Sequence, residues 1–183
     1  MALAADEALI EKLRAIPEAV TRTLACGEGI RQCAEGYRTM SDCAVIGRGY
    51  NYATASEIAL KLKELTYGGA NPYSSADFMH GPIAVVQRGY PVLLVAPDGA
   101  ILPDLLRLAQ DLKRREAELI VISDCDQALA LATAPLRLPV RVDEWLSPLV
   151  AVLPGQLLAY YLALAKGLDP EHPRGLRKVT ETR

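Results

Sequence analysis

Two uninterrupted apolar runs, residues 92–96 (VLLVA) and 119–123 (LIVIS), leave this chain few ways to fold. A strand with one wet face alternates apolar and polar residues, whereas a strand that is apolar throughout must be covered on both faces, as in parallel sheets. Residues 43–46 (CAVI) and 136–142 read as two further strands. Helical periodicity fills the stretches between and around them, at about 6–23, 52–67, 101–117 and 148–166, with a shorter candidate near 82–87. Strands alternating with long helices specify an α/β fold: a doubly wound parallel sheet sandwiched by helices in three layers, of flavodoxin type. At 183 residues and 51% hydrophobic composition the chain has material for one domain with a closed core.

Charge and cysteine usage narrow the function. A net charge of −2 with no run of like charges gives no electrostatic reason to bind nucleic acid or an acidic membrane. The four cysteines form no CxxC pair and no cluster with His80 or His172, so neither a zinc site nor a disulfide framework is expected, and no cofactor is called for. The opening MALAADEALIEKL lacks the layout of a signal peptide, and residues 146–164 are interrupted by Pro148, Pro154, Gly155 and Gln156. The expectation is a cytoplasmic protein whose partners are small molecules or other proteins.

Within the helix EIALKLKELTY (57–67), Glu57, Lys61 and Glu64 line one stripe, and Ile58, Leu62 and Leu65 line another about a third of a turn away. One stripe packs. The other is either a solvated ladder of the ordinary i, i+4 kind or a site for chemistry. The turn Gly47-Arg48-Gly49 follows the first strand, where doubly wound sheets place their ligands. In MHGPIAVV (79–86), Pro82 suits a first helical turn and leaves His80 near a helix N-terminus, where the dipole favours the neutral ring. The tail HPRGLRKVTETR (172–183) carries Lys178, an amine that becomes nucleophilic if the tail folds over a site.

Four stretches in order, GRGYNYATASEIALKLKELTY, NPYSSADFMHGPIAVV, LPGQLLAYYLALAKGLDP and PRGLRKVT, resemble the second sugar isomerase (SIS) domain of glucosamine-6-phosphate synthase and of the shorter isomerising glucosamine-6-phosphate deaminases. The resemblance runs from about Asp42 to Thr180. It implies that Glu64 shuttles a proton between C1 and C2 of an open-chain hexose phosphate, with Lys61 in the same site. It further implies that His80 assists ring opening in the neighbouring subunit of a dimer, and that Lys178 forms a Schiff base with the ketose carbonyl. Such chemistry asks for these residue types: a carboxylate to hold a proton between adjacent carbons, a lysine to balance the enediol charge, and a group near neutrality for ring opening. Gly47, Arg48, Gly49 and Glu57 are then the expected substrate-binding positions.

The chain also departs from that pattern. Where the fold normally builds a Ser/Thr-rich phosphate cradle it reads APDGAIL (96–102), with no hydroxyl and with Asp98 to repel a phosphate. In the resembling enzymes the cradle lies in a first SIS domain. The chain opens Met1-Ala2, where the synthases expose a cysteine nucleophile, so glutamine-dependent amination by this polypeptide is not expected. The expected partition is a linker helix region in 1–40, an SIS domain in 41–168 and an active-site tail in 169–183. The expected function is aldose–ketose interconversion of a hexose or hexosamine 6-phosphate, with amination or deamination at C2 left open. It would require a homodimer or a second, phosphate-binding SIS domain. The alternative is a non-catalytic SIS module that binds a sugar phosphate or dimerises.

Overall fold

The computed structural model describes residues 7–175. Three helices come first: α1 (Glu7–Arg14), α2 (Ile16–Leu24) and α3 (Gly27–Gly36). Then follow β1 (Asp42–Gly47), α4 (Asn51–Thr66), β2 (Gly69–Ser74), the short α5 (Ser75–Met79) and a 3-10 turn at Pro82–Val85. Next are β3 (Pro91–Val95), α6 (Leu102–Arg114), β4 (Glu118–Ser123), α7 (Asp126–Leu129) and β5 (Ala134–Arg137). A second 3-10 turn, Glu144–Leu146, leads into α8 (Ser147–Ala165). Among the described residues five strands form one parallel sheet in the order β2-β1-β3-β4-β5, the doubly wound arrangement of flavodoxin type.

The apolar runs serve both faces, as their composition requires. Val45, Leu93, Val95, Ile120 and Ile122 point into a core shared with α2, α3, α4 and α8. Ala44, Ile46, Val92, Leu94, Leu119 and Val121 point into a second core closed by Phe78 of α5 and by α6. Each fully buried Ile or Leu contributes about 1.5–3 kcal/mol.

Several elements differ from expectation. The helix expected over 6–23 is broken at Ala15, where Pro17 lies in the first turn of α2, because a proline has no N–H to bond the carbonyl four residues back and its ring crowds that carbonyl. Helix α3 was not expected, since GEGIRQCAEG carries three glycines; Ile30 and Ala34 buried against α8 hold it in place. Strand β2 (GANPYS) was also missed, because Gly, Asn and Pro read as turn residues. At the sheet's edge Pro72 sacrifices no interior ladder bond. The last strand lies at Ala134–Arg137, ahead of the expected 136–142.

Helix α8, with its preceding turn (Glu144–Ala165), is long and apolar enough by length and composition to cross a membrane, with an 18-residue window of mean hydropathy 1.6. One face of it is used inside the fold, while Leu149, Tyr160 and Leu164 stay exposed. Val150, Ala151, Pro154, Gly155, Leu158, Ala159, Leu162 and Ala163 are buried, and the helix packs on α2, α3 and α4. The contact with α4 depends on Gly155, where a Cβ would lie 2.3 Å from both Cδ1 and Cγ1 of Ile58, itself wholly buried. Helix α4 runs parallel to α8, tied at its start by Asn51 Nδ2 donating to Ser147 Oγ (2.7 Å) and midway by Gln156 Nε2 donating to Glu57 Oε1 (3.1 Å).

Gly155→Ala is therefore expected to lower stability by about 1–3 kcal/mol through overpacking, offset by up to about 1 kcal/mol of helix propensity. In an Ile58→Ala background the same change should become stabilising, because the clash is gone and the propensity gain remains. Urea unfolding of the four proteins of this cycle reads both signs.

Candidate functional site

Helix α4 buries Ala55, Ile58, Ala59 and Leu62 and turns Glu57, Lys61 and Glu64 outward. The outward stripe is a joined ladder. Lys61 Nζ lies 2.7 Å from Glu64 Oε2 and 3.9 Å from Glu57 Oε1. Side-chain exposures of 33%, 35% and 27% for Lys61, Glu57 and Glu64 make the three half-buried rather than fully solvated. The hydrogen bond to Glu64 raises the Lys61 amine above its ordinary 10.5, with the charges of Glu64 and Glu57 adding in the same direction against desolvation. Gln156 of α8 completes the group by binding Glu57. Sequence reasoning noted Gln156 only as an interruption of an apolar stretch; an amide in the middle of a buried helix was the signal that it faces a polar neighbour.

The other expected residues sit elsewhere. Gly47, Arg48 and Gly49 form the turn at the start of α4, at the carboxyl edge of the sheet. Glu64 lies near the helix's other end, roughly 20 Å along its axis. Gly47 is required by packing, since a Cβ there would meet the Asn51 carbonyl at 2.1 Å. Gly49 abuts Ile101. Arg48 reaches Asp104 of α6 (Nη1 to Oδ2, 3.3 Å). His80 is exposed and caps the C-terminus of α5, two residues ahead of the 3-10 turn. This corrects the expected setting of His80 at a helix N-terminus: the residues after Pro82 form only a single 3-10 turn, and the helix next to the imidazole precedes it. Arg48 and His80 share a cleft of about 390 Å³ with Ser75, Asp104 and Arg107. Within one copy of the chain, the structure groups Glu57, Lys61 and Glu64 at one place and Arg48 and His80 at another.

The loop expected to lack a phosphate cradle is filled from within. In 96–102, between β3 and α6, the Asp98 N–H donates to Asp124 Oδ1 (2.7 Å) and the Ala100 N–H donates to Glu144 Oε2 (3.2 Å). Arg141 pairs with Asp98. Two backbone amides of this loop are thus taken by the protein's own carboxylates. Burial raises the Asp124 carboxyl above its ordinary value, against a backbone hydrogen bond that lowers it.

A larger hollow of about 820 Å³ lies at the amino edge of the sheet, lined in part by Cys33, Tyr37, Asp42, Tyr90 and Glu118. Burial pushes the Cys33 thiol up to about 11 and, with Asp42's charge, the Tyr90 phenol up to about 12. Tyr37, bonded to Glu118 at 3.2 Å, is raised further, again mainly by burial. These three groups exchange no protons near neutrality.

Lys178 lies outside the described residues. The chain just ahead of it docks at the end of α4: the Arg174 N–H donates to Tyr67 Oη (2.8 Å), and the Arg174 guanidinium stacks 4.6 Å from the Tyr67 ring centroid. Tyr67 is the left-handed cap of α4, three residues beyond Glu64.

The sequence pattern of the SIS domain family matches residues 41–166. The chain is 39% identical over 172 residues to the isomerizing glutamine–fructose-6-phosphate aminotransferase of Thermococcus kodakarensis, covering 94% of this chain and 28% of that protein. To the aminotransferase of the same name from Gloeobacter violaceus it is 41% identical over 177 residues, covering 92% of this chain and 29% of that one. The chain thus spans less than a third of the length of these curated relatives. Among solved structures it is similar to the C-terminal domain of glucosamine-fructose-6-phosphate aminotransferase from Francisella tularensis, with a TM-score of 0.75 and 30% identity over 87% of this chain and 45% of that one.

The raised Lys61 amine has a consequence for stability. A cation whose folded value exceeds its unfolded one stabilises fully below the unfolded value, and that contribution is lost as pH rises through the folded value. Lys61→Met should therefore cost up to about 1 kcal/mol at pH 8, the scale of a half-exposed ion pair. The difference from the parent should shrink once the pH passes 10.5. Urea unfolding at pH 8 and pH 11 measures this, and a gap that widens with pH would contradict the assignment.

Proposed function

The chain belongs to the SIS domain family, and from that premise we propose that it supplies one half of an active site interconverting aldose and ketose forms of a hexose or hexosamine 6-phosphate. The observation that carries this reading is the ladder on α4. A helix packed along its other face turns outward one lysine bonded to one carboxylate, both half-shielded from water, a pair able to move a proton and balance the charge that it leaves behind. In the proposed reaction the Glu64 carboxylate takes a proton from C1 of the open-chain ketose, leaving an enediolate; the C1 hydroxyl proton passes to the C2 oxygen, and Glu64 returns its proton to C2 to give the aldose. Lys61 turns from Glu64 to the enediolate oxygen as charge builds there.

The tail supports a role for Lys178. From Arg174, held on Tyr67, four residues extend at most roughly 14 Å, enough to bring an amine to the end of α4. There it would add to the ketose carbonyl and expel water as a Schiff base. The position of His80 supports a site shared between copies, since the imidazole and Glu64 stand at opposite ends of α4. Exposed Leu60 on α4, with Tyr160 and Leu164 on the neighbouring α8, gives that face an apolar rim suited to a second SIS domain. That partner would hold the sugar's phosphate, because the loop at 96–102 is closed by Asp124 and Glu144. The same closure favours the second reading, a non-catalytic SIS module.

Glu64→Gln, in the protein assembled with its phosphate-binding partner, should abolish solvent deuterium exchange at C2 and lower kcat by at least about a hundredfold, the lower range for a general base. Exchange that survives would favour the non-catalytic module. Mixing Glu64→Gln chains with His80→Ala chains should restore part of the activity, because a mixed dimer retains one site with both groups intact. A mixture as inactive as its components would place His80 outside a shared site.

A further inference from the structure

We propose that Gln156 of α8 is a positioning residue: by holding Glu57 from across the helix pair, it decides which of two carboxylates takes Lys61. The selection stands on the geometry of α4 and α8 alone. Its effect on turnover rests on the reaction proposed for Glu64 and Lys61.

Lys61 has a carboxylate on either side along α4, Glu57 four residues before it and Glu64 three residues after it. In an isolated helix the arrangement favours Glu57. Glutamate placed N-terminal to lysine at a spacing of four is the better order, and lysine ahead of glutamate, the order of Lys61 and Glu64, is the poorer. The two carboxylates are shielded to nearly the same degree, at 35% and 27% side-chain exposure, so burial gives little reason to reverse the preference. Yet Lys61 Nζ donates to Glu64 Oε2 at 2.7 Å and stands 3.9 Å from Glu57 Oε1, outside hydrogen-bonding distance.

The difference comes from α8. Glu57 Oε1, the oxygen 3.9 Å from Lys61, is the one that accepts the hydrogen bond of Gln156 Nε2 at 3.1 Å. One direction of that oxygen is filled by a neutral donor and the carboxylate is tied to α8, which leaves the ammonium to Glu64. The rise of the Lys61 amine agrees, since its largest cause is the hydrogen bond to Glu64 and its smallest the charge of Glu57.

An amide at this place in α8 calls for such a partner. From Pro148 to Ala159, Gln156 is the only residue with a polar side chain, and it directly follows Gly155, where α4 comes too close for a Cβ. Shielding an amide without a hydrogen bond is costly. Buried Gly155, Leu158 and Ala159 fix the backbone around it, so the donor stands at a set height along α4. In the proposed reaction the choice of carboxylate matters. A lysine bonded to Glu64 stands beside the group that moves the proton, where the enediolate charge appears. A lysine bonded to Glu57 would lie nearer the start of α4 and leave the Glu64 charge uncompensated. Gln156 thus acts on the reaction through Glu57.

The test follows the Lys61 amine of the substrate-free chain by NMR titration of its Cε carbon. In the parent, Glu64→Gln should lower the Lys61 midpoint more than Glu57→Gln does. In a Gln156→Met background the order should reverse, because the released Glu57 captures the lysine at the better spacing. Met matches Gln in length and helix propensity and should change Tm little. Gln156→Asn, which keeps the amide but draws it back by one methylene, should reverse the order as well. A packing role alone would leave the order as it is in the parent. In the protein assembled with its phosphate-binding partner, Gln156→Met should lower kcat about tenfold, the scale of one lost positioning hydrogen bond, and change KM far less. An order unchanged in both Gln156 variants would overturn the proposal. A reversed order with kcat untouched would uphold the selection and overturn instead the part given to Glu64 and Lys61 in turnover.

Discussion

The contact between α4 and α8 governs the rest of the molecule. Ile58 fills the space where Gly155 has no side chain, and the two helices lie close enough for Asn51 to bond Ser147 and Glu57 to bond Gln156. Fixing α4 along one face decides what its other face can do. A freely rotating amphipathic helix would present its charges to water as mobile side chains. Held against α8 and the sheet, the same helix keeps Glu57, Lys61 and Glu64 half-shielded at set distances. In that setting the hydrogen bond to Glu64 holds the Lys61 amine above its ordinary value.

The two ends of α4 have different chemistry for a topological reason. Its start lies at the carboxyl edge of the sheet with the glycine turn, Ser75 and His80, while its end lies at the amino edge beside Tyr67 and the docked Arg174. A helix of 16 residues separates them. Within one copy of the chain, therefore, Glu64 and His80 do not share a site. The carboxyl-edge loop 96–102 gives two of its backbone amides to Asp124 and Glu144.

Much of the fold was legible because the strongest signals are those of burial. VLLVA and LIVIS became β3 and β4, and the stretch around EIALKLKELTY became α4 with its two stripes facing as their spacing required. What escaped notice were elements held by their neighbours rather than by their own propensity. β2 exists because β1 offers it a ladder, and α3 because α8 covers Ile30 and Ala34. The missed role of Gln156 has the same origin, since its partner Glu57 lies 99 positions away along the chain.

The sequence by itself determined the class of fold, the outward stripe of α4 and the absence of hydroxyls in the 96–102 loop, because these follow from periodicity and residue type over short windows. Only the tertiary structure decided which of those groups meet. It joined Lys61 to Glu64 and Glu57, but separated them from Arg48 and His80 by the length of a helix. It turned the 96–102 loop from merely lacking a cradle into one closed by distant carboxylates, and it left the Ser75 hydroxyl without a partner inside a cleft. The physical reason is that distances between side chains are set by packing across the sheet, which no local pattern encodes.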